Sequence, residues 1–134
     1  MLTVKSDRQT QLIDITSQVQ QKISQAGVTD GICFLFVPHT TAAVTINESA
    51  DPSVKSDILK ILNQVIPFQA GYQHLEGNSA AHIKSSLIGA SAQIFIQQGH
   101  LVLGTWQGIF FCEFDGPRTR KVHLNILDTP IQVL

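Results

Sequence analysis

The stretch AQIFIQQGHLVLGTWQGIFFCEFDGPRTRKVHLNIL, residues 92–127, decides the fold because four apolar segments follow one another with only short polar turns between them. Each segment has the length of a β-strand, and the turns QQGH, QG and DGPRTR all contain glycine. Connections this short join antiparallel neighbours, since a parallel crossover needs about a dozen residues or more. The C-terminal third is therefore predicted to be an antiparallel meander.

The first two thirds of the chain mix strand and helix patterns without regular alternation. Strands are predicted at residues 2–6, 11–15, 31–37 and 42–48. Three helices are predicted, one from Thr16 to before Gly27, one from Asp51-Pro52 to before Pro67, and a short one across residues 79–90. Thr16 is expected to be the N-cap of the first helix. The predicted class is α+β, with a mostly antiparallel sheet or two packed sheets.

The composition favours a single domain, residues 1–134, that associates with copies of itself. The apolar fraction of 43% is enough for a core, whereas charged residues make up only 14% of the chain. So little charge indicates apolar surface that is covered in a homo-oligomer. The net charge of −1 argues against nucleic-acid or membrane partners recognised by bulk electrostatics.

The sequence also favours a cytoplasmic protein. The opening MLTVKSDRQT lacks the apolar segment of a signal peptide, and no apolar run has the length of a membrane span. Cys33 and Cys112 lie in apolar segments, and we expect both to be buried free thiols.

Polar residues cluster where the predicted strands and helices end, which is where scaffolds usually carry functional groups. They are His39, Thr40, Thr41, Asn47, Glu48, His74, Glu76, Asn78, His82, Thr105, Trp106, Gln107, Glu113, Asp115, Arg118 and Arg120. Histidine and carboxylates in loops are common metal ligands and acid–base groups. The spacing of His74 and His82 nevertheless fits no standard zinc motif. Taken alone, His39 is better explained as a cap of the strand end whose ring is bonded to a backbone carbonyl.

The segment from Glu113 to Lys121 has a structural and a functional interpretation. Glu113 follows IFFC on the face shared with Phe111, so its carboxylate needs a partner such as Arg118 or Arg120. The basic residues of DGPRTRK either lie in a solvated turn or bind phosphate through the planar arginine fork. GNSAAH likewise either caps a helix through Asn78 or Ser79 or presents free N–H groups to an anion.

Four blocks in order, PHTTAAVTINE, ADPSV, YQHLEGNSAAHIKSSLIG and LGTWQGIFFCEFDGPRTRKV, resemble the signature segments of the YjbQ-like family. The resemblance covers about residues 10–128. This family is also described as a secondary type of thiamine-phosphate synthase. It implies a β-sandwich-like α+β fold, the YjbQ-like fold, with about seven mostly antiparallel strands in two sheets, assembled as a homotrimer.

The resemblance also implies a polar pocket and a chemistry. Catalytic roles fall to His39, His82 and Glu113. Binding of substrate phosphate falls to Thr40, Thr41, Asn47, Asn78, Lys84, Gln107, Arg118 and Arg120. The implied reaction joins a hydroxymethylpyrimidine pyrophosphate to a thiazole phosphate and displaces pyrophosphate, with Mg²⁺ as the expected cofactor.

Two alternatives from other classes remain open. One is a metal-binding protein or metal-dependent hydrolase in which His39, His74 and His82 hold Zn²⁺ or another transition metal. The other is a non-enzymatic trimer that binds a small anion.

Overall fold

The protein's structure, a computed structural model that describes residues 1–129, contains eight strands and three helices. In chain order they are β1 (Leu2–Lys5), β2 (Gln11–Asp14), α1 (Thr16–Ala26), β3 (Gly31–Phe36), β4 (Ala42–Glu48), α2 (Pro52–Val65), α3 (Ser79–Ile88), β5 (Ser91–Gln97), β6 (His100–Leu101), β7 (Gln107–Glu113) and β8 (Thr119–Asp128). This confirms the predicted α+β class. None of these helices is long and apolar enough to cross a membrane.

The strands form two antiparallel sheets. The first has the order β1-β8-β3-β5-β6, and the second has the order β2-β7-β4. Each of the eight predicted strand segments contributes a strand, so the count is eight where the family resemblance implied about seven, but LVLGTW is paired over less of its length than predicted. Only its start pairs, as β6, since the backbone N–H of Gln107 bonds to the carbonyl of Gly104 and closes a turn.

The main core lies between the two sheets and is closed by α1. Strand β7 shows how alternation divides its side chains, since Ile109 and Phe111 belong to this core while Phe110 and Cys112 belong to a second one. The second core is covered by α2 and α3 on the outer face of the three-stranded sheet. Both cysteines are buried free thiols, as predicted.

The helix termini follow the predictions in part. Asp51 caps α2, since its carboxylate accepts a hydrogen bond of 2.9 Å from the backbone N–H of Ser53. Thr16 is not the N-cap of α1, a position that Ile15 occupies. The Thr16 hydroxyl instead accepts the backbone N–H of Ile109 at 2.8 Å and donates to Asp14. It therefore ties α1 to β7.

A buried ion pair joins the ends of β7 and β8. The Arg120 guanidinium donates to both carboxylate oxygens of Glu113, and both side chains are buried. The Ser6 hydroxyl donates to the same carboxylate at 2.7 Å, and Arg120 Nη2 donates to the Thr41 hydroxyl at 2.8 Å. Arg120, not Arg118, is thus the partner of Glu113, and the pair links the β1–β2 connection, the β3–β4 connection, β7 and β8.

The hydrogen bonds to the Glu113 carboxylate affect its pKa more than burial does. Burial by itself raises the pKa of Glu113, but the hydrogen bonds from Arg120, Ser6 and the Asp115 backbone N–H lower that pKa below its usual value. Because the folded-state pKa is depressed, the stabilisation is present above the unfolded pKa and is lost as pH falls through the folded one.

We expect Glu113→Gln to lower the free energy of unfolding by roughly 3–5 kcal/mol, since it leaves the Arg120 guanidinium buried without its counter-charge. Urea unfolding at pH 7 measures the loss. The double variant Glu113→Gln with Arg120→Met removes both charges and should be more stable than the single variant. A loss below about 1 kcal/mol in the single variant would show that the pair behaves like an exposed one.

Gly116 in the β7–β8 connection is required by close packing. A Cβ at this position would lie 2.3 Å from the carbonyl oxygen of Arg8 and 2.8 Å from Cγ of Glu113. We expect Gly116→Ala to lower the free energy of unfolding by roughly 1–3 kcal/mol, the usual cost of overpacking. Gly104→Ala is the matched control for the same urea measurement, because its nearest neighbour is the flexible Gln107 side chain at 3.2 Å. Equal losses in the two variants would contradict the packing explanation.

Candidate functional site

A cavity of about 390 Å³ opens beside the buried ion pair. Five segments meet there, namely the β3–β4 connection, the α2–α3 connection, the first turn of α3, the β7–β8 connection and the start of β8. Its lining residues are Pro38, His39, Thr40, Thr41, Glu76, Asn78, His82, Asp115, Arg118 and Arg120. An adjoining cavity of about 500 Å³ shares His39, Thr40 and His82 with it. The two volumes together have the size of a small-molecule site.

Seven of the predicted site residues line this cavity. They are His39, Thr40, Thr41, Asn78, His82, Arg118 and Arg120. Residues far apart in the sequence thus meet at one polar surface.

His39 is held as a hydrogen-bond donor toward the cavity. Its Nε2 accepts the backbone N–H of Lys121 at 3.0 Å, so the neutral ring carries its proton on Nδ1. Burial and the positive charge of Arg120 lower the pKa of His39, which also favours the neutral ring. The predicted cap to a backbone carbonyl is wrong, because the partner is a backbone N–H.

Asn78, Asp115 and Arg118 form a hydrogen-bonded group on one side of the cavity. Asp115 Oδ2 accepts from Asn78 Nδ2 at 2.9 Å and from Arg118 Nη2 at 3.1 Å. Asn78 Oδ1 is buried and has no hydrogen-bond partner among residues 1–129. A ligand that supplies a donor or a cation would satisfy this oxygen.

His82 and His74 lie edge to face, with their ring centroids 5.4 Å apart. Within residues 1–129 the ring of His82 makes no hydrogen bond, so its nitrogens are available to a ligand. His74 lines a neighbouring cavity of about 510 Å³ that also contacts His82, and its Nε2 lies 3.8 Å from the Glu76 carboxylate.

The predicted transition-metal site of His39, His74 and His82 is not assembled within the chain. Residues 1–129 contain no group of three or more His, Cys, Asp or Glu side chains placed to share a metal ion. The Nε2 of His39 is also occupied by the Lys121 N–H. The donor set fits Mg²⁺ better, because Mg²⁺ is commonly held by one or two carboxylates plus substrate phosphates, and Glu76 and Asp115 line the cavity.

Four predicted site residues lie elsewhere. The cavity is at the Ala42–Glu113 end of the β4–β7 pair, and Asn47 and Gln107 are at the opposite end. From the rise per residue of a β-strand, the two ends are about 20 Å apart. Glu113 is buried behind the cavity and does not line it, but it is hydrogen-bonded to two lining residues, Arg120 and Asp115. Lys84 is completely buried and does not line the cavity.

Sequence reasoning missed several lining residues. Glu76 and Asp115 were recognised as polar loop residues without a role at the site. Ser85 and Ser86 line the adjoining cavity with His82. Their positions three and four residues after His82 in α3 are the signal that would have found them, since such residues share one helix face.

Comparison with known proteins agrees with this architecture. The model of the family described as "UPF0047 protein YjbQ-like" matches residues 1–129. A UPF0047 protein of Methanocaldococcus jannaschii is 54% identical over 124 residues, which cover 92% of this chain and 90% of the relative. The UPF0047 protein YugU of Bacillus subtilis is 47% identical over 127 residues, which cover 94% of this chain and 96% of the relative.

Solved structures show the same fold. An uncharacterised YjbQ/UPF0047 protein of Clostridium acetobutylicum superposes with a TM-score of 0.92 at 54% identity, covering 94% of this chain and 98% of that one. A hypothetical protein of Aeropyrum pernix has a TM-score of 0.91 at 39% identity, covering 96% of both chains. The resemblance of the four sequence blocks is thereby confirmed, and the chain belongs to the YjbQ-like UPF0047 family.

Proposed function

We propose that the cavity binds the pyrophosphate of a small phosphorylated molecule together with Mg²⁺, and that the protein is a transferase of the thiamine-phosphate synthase type. The observation that carries the proposal is that two guanidinium groups and two carboxylates line the same cavity. These are Arg118, Arg120, Glu76 and Asp115.

The two arginines supply N–H donors for phosphate oxygens. Arg120 uses Nε and Nη2 on Glu113 and Thr41, and its Nη1 amino group makes no hydrogen bond with residues 1–129. Arg118 is held by the Asp115 backbone carbonyl and carboxylate, and half of its side chain is exposed. Guanidinium groups fixed by such bonds are suited to the fork geometry of phosphate.

The charge balance favours a metal complex over a free anion. The lining arginines contribute two positive charges and the lining carboxylates two negative ones, so a bare pyrophosphate would meet no net positive charge. When bound by Glu76 and Asp115, Mg²⁺ would neutralise charge on the pyrophosphate. This balance distinguishes the proposed site from a simple anion-binding site.

The side chains then account for a displacement of pyrophosphate. The thiazole nitrogen forms a bond to the methylene carbon of the pyrimidine, and the bond from that carbon to the pyrophosphate oxygen breaks. Arg118 and Arg120 donate to the oxygens on which negative charge increases. Nδ1–H of His39 and the unpaired ring of His82 are placed to orient the substrate or to give a proton to the departing group.

Pyrophosphate with Mg²⁺ is expected to stabilise the protein against thermal unfolding, by about 2.7 kcal/mol at one hundred times its dissociation constant. Differential scanning fluorimetry measures the shift in Tm. Arg118→Ala should abolish the shift. Gln107→Ala at the far end of the sheet is the matched control and should keep it. No shift at millimolar pyrophosphate and Mg²⁺ would contradict the proposal.

Turnover separates an enzyme from a binding protein with the same cavity. Incubation with a hydroxymethylpyrimidine pyrophosphate and a thiazole phosphate should release pyrophosphate, and His82→Ala should reduce that release. Binding of pyrophosphate without release in the unsubstituted protein would favour the non-enzymatic anion-binding trimer. Hydrolysis without the second substrate would favour the hydrolase.

We also propose that the homotrimer implied by the family resemblance forms through the outer face of the five-stranded sheet. Ile32, Phe34 and Phe36 of β3 lie on this face, and their registered partners on β5 and β8 share it. Those partners are Phe95, Gln93, Ser91, Leu127, Asn125 and His123. None of the nine residues is Asp, Glu, Lys or Arg, and Phe36 is 51% exposed. An uncharged aromatic surface of this kind is typical of a contact between subunits.

We expect the protein to sediment at about three times its chain mass of 14.7 kDa, and Phe34→Asp with Phe36→Asp to reduce this to one chain mass, because buried carboxylates oppose association. Analytical ultracentrifugation measures both masses. Ile61→Asp, which changes an exposed apolar residue of α2, is the control and should stay trimeric. A monomeric unsubstituted protein, or an unchanged mass in the double variant, would rule out this interface.

A further inference from the structure

Helix α3 inverts the usual placement of charged and apolar side chains. Lys84 is 0% exposed, whereas Ile83 is 44% and Leu87 is 65% exposed. Hydrophobicity alone would place Ile83 and Leu87 on the buried side of this helix, but Lys84 is the residue that is buried. Violations of this kind tend to mark functional positions.

The amine of Lys84 lies in apolar surroundings without a counter-charge. Its Nζ has no hydrogen-bond partner among residues 1–129 and lies 3.8 Å from the centroid of the Phe68 ring. The ion pairs formed by the described residues involve His74, Arg118 and Arg120 and leave Lys84 unpaired. A buried ammonium with only a cation–π contact is expensive, so the site favours the neutral amine.

The neutral amine is a nucleophile. Burial lowers the pKa of Lys84 to about 8. At pH 7.5 roughly a quarter of the amine is then uncharged, against about 0.1% for an ordinary lysine of pKa near 10.4. Desolvation in an apolar pocket is one of the ways in which proteins activate lysines that form imines.

We propose that Lys84 is a reactive amine that forms an imine with a small aldehyde or ketone. The amine nitrogen attacks the carbonyl carbon, the carbonyl π bond opens, and the resulting carbinolamine loses water to leave a carbon–nitrogen double bond. Nothing is oxidised or reduced. The activity is separate from the proposed pyrophosphate site, because Lys84 does not line that cavity.

The apolar surroundings of Lys84 accommodate an imine, and movement of the Phe68 side chain would admit the carbonyl compound. An unprotonated imine is uncharged, so an apolar pocket without a counter-ion accommodates it better than it does the ammonium. The cover over the amine is the half-buried Phe68, which lies in the α2–α3 connection outside any helix or strand. Displacement of one side chain in a surface connection is a small rearrangement compared with opening the core.

Reductive trapping tests the proposal. The intact protein is incubated with propanal at a series of pH values from 6 to 11, sodium borohydride is added at timed intervals to reduce the imine, and the modification of each lysine is quantified by peptide mass spectrometry. We expect Lys84 to be modified at least tenfold faster than the exposed Lys60 of α2 at pH 7.5. We also expect the modification of Lys84 to reach half its maximum near pH 8.

Two substitutions of Phe68 change the cover over the amine while Lys84 itself stays in place. Phe68→Ala should hydrate the amine of Lys84 and move its midpoint upward, whereas Phe68→Leu keeps an apolar cover and should keep the midpoint near 8. Circular dichroism verifies that both variants are folded. Modification of Lys84 no faster than Lys60, or with the same midpoint in all three proteins, would overturn the proposal. Pyrophosphate binding is measured in parallel, so failure of one site is distinguished from failure of the other.

Discussion

The candidate site depends on the buried ion pair of Glu113 and Arg120. Removing two charges from water is costly, and here the cost is offset by hydrogen bonds from Ser6 and the Asp115 backbone to the carboxylate and from the guanidinium to Thr41. Those bonds tie together segments that are far apart in the sequence. The same arginine lines the cavity. One group thus fixes the positions of the surrounding connections and presents an N–H donor to a ligand, which is the rigid support that a binding site requires.

The cavity is polar but balanced in charge, and this separates it from a phosphate clamp made only of basic residues. Arg118 is held by Asp115, which also binds Asn78, so the charged groups are fixed before a ligand arrives. His39 is fixed as a neutral donor because the Lys121 N–H occupies its Nε2. This balance of charge is the reason why we propose a metal–phosphate complex, which carries both charges, rather than an isolated anion as the ligand.

The sequence predicted the class and most elements because alternation, glycine turns and the Asp51-Pro52 cap are local signals. It also predicted the segments that meet at the cavity.

The sequence did not predict which end of a strand lies at the cavity or which residue of a helix is buried. Thr41 precedes β4 and Asn47 lies near the other end of that strand, and a sequence does not show which end of a strand the other connections approach. Ile83 and Lys84 are adjacent in α3, and hydrophobicity alone gives the wrong one as buried. Glu113 was recognised as a buried carboxylate, but the choice between Arg118 and Arg120 required the register of β8.

Helix α3 carries one residue of each proposed site, and these two residues lie on different sides of the helix. His82 faces the polar cavity, and Lys84 is buried beneath Phe68 on another side of the helix. The α2–α3 connection contributes to both places, because Glu76 and Asn78 line the cavity and Phe68 covers the amine. A ligand that orders Glu76 and Asn78 therefore restrains the same connection that must move to uncover Lys84. Since coupling between sites requires an element that both of them bias, this connection is the physical route by which occupation of the cavity would slow the reaction of the lysine.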